Sequence, residues 1–197
     1  MIPINTLLAA YRTGYFPMAV GGHVGWFSPD QRGILPLAGL HIPKRLRRIC
    51  RQGRFDVTVN RAFGEAIAAC AARPEDSGNW IDDEIIESYT ALHVAGFAHS
   101  VEIWQNERLV GGLYGVSLNA AFFGESMFHR VTDASKVALC VLVDRLRERG
   151  YRLLDIQWLT PHLARFGAIK IPRRQYLELV TEAMQYERVF DGNSDKE

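Results

Sequence analysis

Between residues 99 and 128 three strand patterns follow one another, and few folds can hold them. His99–Trp104 alternates apolar with polar side chains, Leu109–Val116 follows, and Ala120–Phe128 comes back. Asn106-Glu107 and Asn119 are the turn residues between them. Turns this short leave no room for a crossover helix, so the three strands are expected to pair as an antiparallel meander. A sheet with such apolar residues has to be covered by helices, and the flanking sequence supplies them.

Helical patterns are read over residues 6–13, capped by Asn5 and stopped by Gly14, and from Pro43 to Arg51, stopped by Gly53. Further helices are read over Phe63–Ala72 after Asn60, from Asp82 to Val94, and over Ala134–Arg149 after Thr132 or Asp133. Phe55–Asn60, Tyr151–Gln157 and Ala168–Ile171 read as strands. Thr160-Pro161 opens a short helix, and Pro172 leads into the last one. Residues 73–79 read as a loop and 191–197 as a polar, fraying tail. The stretch from Gly14 to Gly39 is rich in glycine, proline and aromatics and marks the best boundary. The expected plan is α+β: a small N-terminal domain over 1–39, then a domain over 40–190 with a central, mostly antiparallel sheet flanked by helices.

Composition excludes several classes. With 48% hydrophobic and 23% charged residues, 197 residues suit one soluble domain and not a disordered or coiled-coil chain. No run approaches the ~18 apolar residues of a membrane span, and no secretory leader is apparent, so a cytoplasmic protein without membrane contact is expected. Cys50, Cys70 and Cys140 are too scattered for a disulfide framework or a zinc site and are read as small core hydrophobes. The six histidines show no metal spacing. The net charge of +1 hides an asymmetry. Residues 1–54 carry eight Lys and Arg against one acid, Asp30, and six of the eight lie between Lys44 and Arg54. A helix there presents a cationic face suited to phosphate; a plain solvated face is the bland alternative.

Three segments could carry chemistry. Glu125 stands between a glycine and an apolar strand end, where a lone buried charge is costly, and so could hold a cation in a pocket. Asp155 and Gln157 lie two apart on one strand pattern, so they are expected on one face, able to orient each other. Gly111, Gly112 and Gly115 interrupt a strand, which signals a bulge or a close approach. No phosphate-binding GxxxxGK[ST] or GxGxxG is present, and no convincing pyrophosphate loop for an acetyl-CoA-dependent acetyltransferase. An RNA-binding module without catalysis would account for the basic helix but not for Glu125, Asp155 and Gln157 together.

The ordered series AYRTGYFPM, WFSPD, LHIPKRLRR, FDVTVNRAF, NWID, LHVAGFAHSVEIW, LVGGLYGV, FFGESMF, DASKVAL, LLDIQ, PHLARFGA and IPRRQYLELV resembles the leucyl/phenylalanyl-tRNA–protein transferases from about Leu7 to Val180. The order of HSVEIW, LVGGLYG, GESMF and the D-x-Q strand makes the likeness specific. The resemblance implies a GNAT-like acyltransferase domain with a small, truncated N-terminal domain, since the family's Gly-Gly-Asp-Leu lead-in is not seen. It implies transfer of Leu or Phe, and less well Met, from aminoacyl-tRNA to the α-amino group of proteins that begin with Arg or Lys. The product is an N-degron for Clp-dependent degradation. No metal and no cofactor is implied, and a monomer is expected.

The same resemblance assigns Asp155 and Gln157 to orientation and proton transfer, and Glu125 to holding a cationic substrate group. It lines the aminoacyl pocket with Leu113, Met127, Leu139, Leu142, Leu146 and Leu154. Tyr11, Trp26, Trp80 and Tyr89 would stack on the terminal adenosine or wall the site. Lys44, Arg45, Arg47, Arg48 and Arg51 would take tRNA phosphates. The chain departs from the family's usual pattern at the glycine-rich Val20–Gly25 and at His129, where a Ser is common.

Overall fold

The computed structural model describes residues 1–72 and 80–191; the expected loop over 73–79 and the tail beyond 191 lie outside them. In chain order the elements are α1 (Ile4–Arg12), β1 (Phe16–Val20), β2 (His23–Phe27), β3 (Gln31–Ile34), α2 (Lys44–Arg51) and β4 (Asp56–Val59). Next come α3 (Phe63–Ala71), α4 (Asp83–Val94), β5 (Ala98–Gln105), β6 (Arg108–Leu118) and β7 (Ala121–His129). The chain continues with α5 (Ala134–Glu148), β8 (Leu153–Gln157), α6 (Pro161–Ala164), β9 (Ile169–Pro172) and α7 (Arg173–Ala183). Among the described residues no helix is long and apolar enough to cross a membrane.

The meander forms because its turns suit it. Asn106 and Glu107 both take a left-handed backbone, with φ of 51° and 58°, the geometry of a two-residue hairpin turn. Asn119, at φ 51°, turns β6 into β7. The main sheet has seven strands in the order β4-β5-β6-β7-β8-β3-β9. All its pairs are antiparallel except β7 with β8, which the α5 crossover joins in parallel. Strands β1 and β2 form a separate hairpin. The fold is thus α+β, with a mostly antiparallel sheet and helices on both faces. Residues of α1, α3, α4 and α7 fill one core layer, and those of α2, α5 and α6 the other.

Several local expectations change. Residues 31–34 belong to the main sheet, between β8 and β9, although they fall in the 1–39 segment read as N-terminal. Their backbone groups are satisfied by ladders to both neighbours. Helix α1 starts at Ile4 after Pro3, with no side-chain cap from Asn5. Asn60 does not cap α3; it turns left-handed and accepts from the Ser100 N–H at 2.9 Å. Asp82 and Thr160 do cap, accepting from the amides of Ile85 and Leu163. Cys50 is exposed, while Cys70 and Cys140 are buried. Gly111 is glycine because an added Cβ would sit 2.5 Å from that of Ala134, where α5 starts against β6.

Candidate active site

The site lies where two strands separate. Parallel pairing of β7 with β8 ends at Phe123 opposite Asp155. Just beyond, both strands carry an extra residue. Tyr114 and Gly115 on β6 pair with Ser126 and Gly124, so Glu125 is left without a cross-strand partner. Gly33 and Ile34 on β3 pair with Gln157 and Asp155, so Ile156 is the extra residue on β8. Bulges of this kind re-aim side chains. Gln157 is also left-handed, at φ 54°. Gly33 permits this turn, because a Cβ there would meet the Leu159 amide nitrogen at 2.8 Å.

A cavity of about 280 Å³ opens between the parted strands. Leu113, Met127, Leu139, Leu142 and Leu154 line it, with Glu125 and Gln157 as polar groups in its wall. Phe16, Met18, Trp80, Ile156, Trp158 and His162 also line it, with Ser126 and Thr160 among the further polar residues. Leu146 does not reach it: its side chain is fully buried in the α5 core layer. Trp80 lines the cavity, whereas Trp26 is 40% exposed on β2 and stays outside. Tyr11 and Tyr89 have no exposed surface to stack on a base. They act through their hydroxyls instead, beneath Glu125.

Glu125 is buried and held from three elements. The Tyr11 hydroxyl donates to Oε1 at 2.8 Å, the Tyr89 hydroxyl to Oε2 at 3.2 Å, and the Gln157 amide Nε2 to Oε1 at 3.2 Å. The two tyrosine hydroxyls also contact each other. Burial pushes the Glu125 carboxyl up to about 8, against the pull of the Tyr11 hydroxyl. Asp155 adds to the rise, while Tyr89 and Arg32 oppose it. Both tyrosines are raised well above their usual range, by burial first and the Glu125 charge second. His162, half-buried at the cavity wall, is lowered by burial and then by Lys136, His129 and Arg165.

Asp155 is not in the cavity wall. Its oxygens take a bidentate pair from Arg32, with Nε at 2.9 Å and Nη2 at 2.6 Å. The Tyr176 hydroxyl donates at 2.8 Å and the Gln157 backbone N–H at 2.8 Å. Asp155 and Gln157 therefore do not stand side by side as alternation implies. The bulge at Ile156 parts them, and Asp155 fixes the backbone of Gln157 while the Gln157 amide turns to Glu125. Arg32, 1% exposed, lies with its guanidinium carbon 4.5 Å from the ring centroids of both Phe16 and Tyr176. Arg32 and Tyr176 escape sequence reading, because nothing local distinguishes a buried arginine from the exposed ones around it.

The basic helix α2 anchors through Leu46 and Ile49, which join the core layer of α5. Lys44, Arg45, Arg47, Arg48 and Arg51 are exposed. Arg45 is engaged at 3.0 Å with Asp133, which also pairs with Lys136 at 2.6 Å. Lys136 first, and then Arg45, hold the Asp133 carboxyl below its usual range.

Comparison with known proteins is consistent along almost the whole chain. The profile of the leucyl/phenylalanyl-tRNA protein transferase family matches residues 34–181, and that of its N-terminal domain residues 2–30. The leucyl/phenylalanyl-tRNA–protein transferase of Novosphingobium aromaticivorans is 53% identical over 93% of this chain and 72% of its own. Those of Paramagnetospirillum magneticum and Rubrobacter xylanophilus are each 50% identical, covering 96% and 93% of this chain and 93% and 96% of their own. A solved ribosomal-protein-alanine N-acetyltransferase from Brucella melitensis overlays 54% of this chain and 81% of its own, at 18% identity and a TM-score of 0.42. With half of all positions shared and both family profiles matched in order, this chain belongs to the leucyl/phenylalanyl-tRNA protein transferase family.

Proposed function

We propose that the chain moves Leu or Phe, and Met less well, from aminoacyl-tRNA to the α-amino group of proteins that begin with Arg or Lys. The product is an N-degron for Clp-dependent degradation, made in the cytoplasm by a monomer. The observation that carries this reading is the apolar cavity of about 280 Å³ with Glu125 and Gln157 in its wall. Its apolar lining suits one side chain unbranched at Cβ, such as Leu, Met or Phe, and its polar groups lie where the ester and amine would meet. An aminoacyl ester is already activated, so the enzyme has to align it with the amine, move a proton and stabilise the oxyanion. Alignment alone supplies an effective molarity of ~10⁵ M or more.

Leu113, Met127, Leu139, Leu142 and Leu154 take the aminoacyl side chain in this reading, and Trp80 stacks on the terminal adenosine. Gln157 faces the reacting groups, held in place through its backbone by Asp155. Glu125 faces the cationic group that an acceptor beginning with Arg or Lys brings. Lys44, Arg47, Arg48 and Arg51 meet acceptor-stem phosphates, with Arg45 tied to Asp133. Incubation with labelled leucyl-tRNA or labelled acetyl-CoA and a protein beginning with Arg tests it. Label arriving only from the tRNA is expected; label arriving from acetyl-CoA, or from neither, overturns the reading.

A further inference from the structure

Three oxygen–oxygen contacts at the base of the cavity form a closed triangle: Tyr11 with Tyr89, Tyr11 with Glu125, and Tyr89 with Glu125. Each contact needs one hydrogen. The two hydroxyls supply two, so an ionised carboxylate leaves one contact with no proton between two oxygen lone pairs. A protonated Glu125 supplies the third. Its Oε2–H then donates to Tyr89, Tyr89 donates to Tyr11, and Tyr11 donates to Oε1, which still accepts from Gln157. Tyr11 and Tyr89 are fully buried, so no solvent reaches the contact between their hydroxyls.

We propose that Glu125 is the proton carrier of the transfer reaction, and that Tyr11 and Tyr89 close a hydrogen-bonded ring each time it holds the proton. The inference rests on the transfer reading above and names the group that serves it. The free amine attacks the ester carbon, forming the C–N bond. The C–O bond to the ribose breaks, and its electron pair leaves with the ribose oxygen. The proton lost by the amine nitrogen passes to the Glu125 carboxylate, closing the ring, and then to the ribose oxygen, opening it. Ester and amine become amide and alcohol with no further reactant.

The surroundings agree. Asp155 accepts from Arg32, from Tyr176 and from the Gln157 backbone, and it does not line the cavity. The Gln157 amide is only feebly basic. The charged or titratable groups facing Glu125 are Tyr11 on α1, Tyr89 on α4, Arg32 on β3 and Asp155 on β8, with His162 of α6 in the same cavity wall. Arg32 and Asp155 neutralise each other, so Glu125 titrates mainly against its own burial, near pH 8.

Infrared difference spectra of the free protein between about pH 6 and about pH 10 read the ring without any substrate. A carboxylic C=O band lost as pH rises, and absent in Glu125→Gln, is expected. In Tyr89→Phe the ring cannot close and the protonated acid loses its acceptor, so the band should be lost at lower pH than in the wild type. Single-turnover transfer should rise with pH through the same midpoint and move down with it in Tyr89→Phe; a limb set by the acceptor amine would stay. Glu125→Gln should lower that rate ~10²-fold or more with KM for aminoacyl-tRNA changed less than about threefold. Tyr11→Phe serves as the second ring variant if Tyr89→Phe fails to fold. Absence of the band, or a pH limb that stays put in the folded ring variant, overturns the proposal. Wild-type protein that shows the band yet transfers no label from tRNA defeats the transfer reading instead.

Discussion

At the scale of single residues, the buried pair Arg32–Asp155 decides whether the site exists. A bidentate ion pair this deeply buried contributes little net stability, yet removing one partner leaves an unpaired charge. Arg32→Ala should lower stability by about 3–5 kcal/mol, read by urea unfolding. Arg32→Ala together with Asp155→Leu should recover much of that loss, and a double variant as unstable as the single one would refute the account. Asp155→Asn keeps the shape but loses the charge for Arg32. Because Asp155 also grips the Gln157 backbone, transfer should fall ~10²-fold or more. Near-normal turnover in a folded Asp155→Asn protein would remove this residue from the positioning of Gln157. Asp155 stands out in the sequence as a site residue, but its partner Arg32 does not. Arg32 sits in a glycine- and proline-rich stretch that looks like surface, and its two flanking rings, Phe16 and Tyr176, come from opposite ends of the chain.

At the scale of elements, the regular parts were legible and the irregular ones were not. Alternation and Asn turns locate β5, β6 and β7 to within a residue or two, and Asp82 and Thr160 cap where expected. Alternation fails at the two bulges, because pairing irregularities depend on strands distant in sequence. That is why Asp155 and Gln157 part company, and why Glu125, though visible as an odd acid, could not be aimed. Helical spacing marks Leu139, Leu142 and Leu146 as one apolar face but does not say that the third faces core and not cavity. The basic helix α2 is the element whose role is most open to test. Arg47→Ala with Arg48→Ala should weaken binding of full-length aminoacyl-tRNA and reduce the slope of log K against log salt by roughly one to two, since each phosphate contact releases about one counterion. A minimal aminoacyl-adenosine donor should be unaffected. Equal loss with both donors would show that α2 does not track phosphate. Arg45 is left out of the test because it already pairs with Asp133.

At the scale of the whole molecule, two buried titrating groups at separate places set opposite limits on stability. His99 is buried on β5, with its ring stacked 4.5 Å from Phe190. Burial lowers it to about 4, with Asp191 pulling it back up and His93 and Arg145 adding to the fall. Unfolded, it takes up a proton near 6.5, so its contribution is whole above about pH 6.5 and drains as pH falls toward 4. Glu125 works in reverse. Folded, it holds its proton up to about 8, while the unfolded chain releases it near 4.5. Its contribution is whole below about 4.5 and drains as pH rises toward 8. Between about 4.5 and 6.5 the two slopes oppose each other, and from 6.5 to 8 only the Glu125 loss acts. Each pH unit of such a limb is worth about 1.4 kcal/mol, so these limbs amount to a few kcal/mol. Urea unfolding across pH should therefore give a plateau near pH 4.5–6.5 and a fall above it. Glu125→Gln, whose amide can accept from Tyr11 and donate to Tyr89 as the protonated acid would, should abolish the alkaline fall and turn the plateau into a rise that ends near pH 6.5, set by His99 alone. His99→Gln should lower stability at every pH through loss of the Phe190 stack, remove the acid-side loss and let the Glu125 fall begin near pH 4.5. An alkaline fall that persists unchanged in Glu125→Gln would mean that the carboxyl at the centre of the site ionises without cost to the fold.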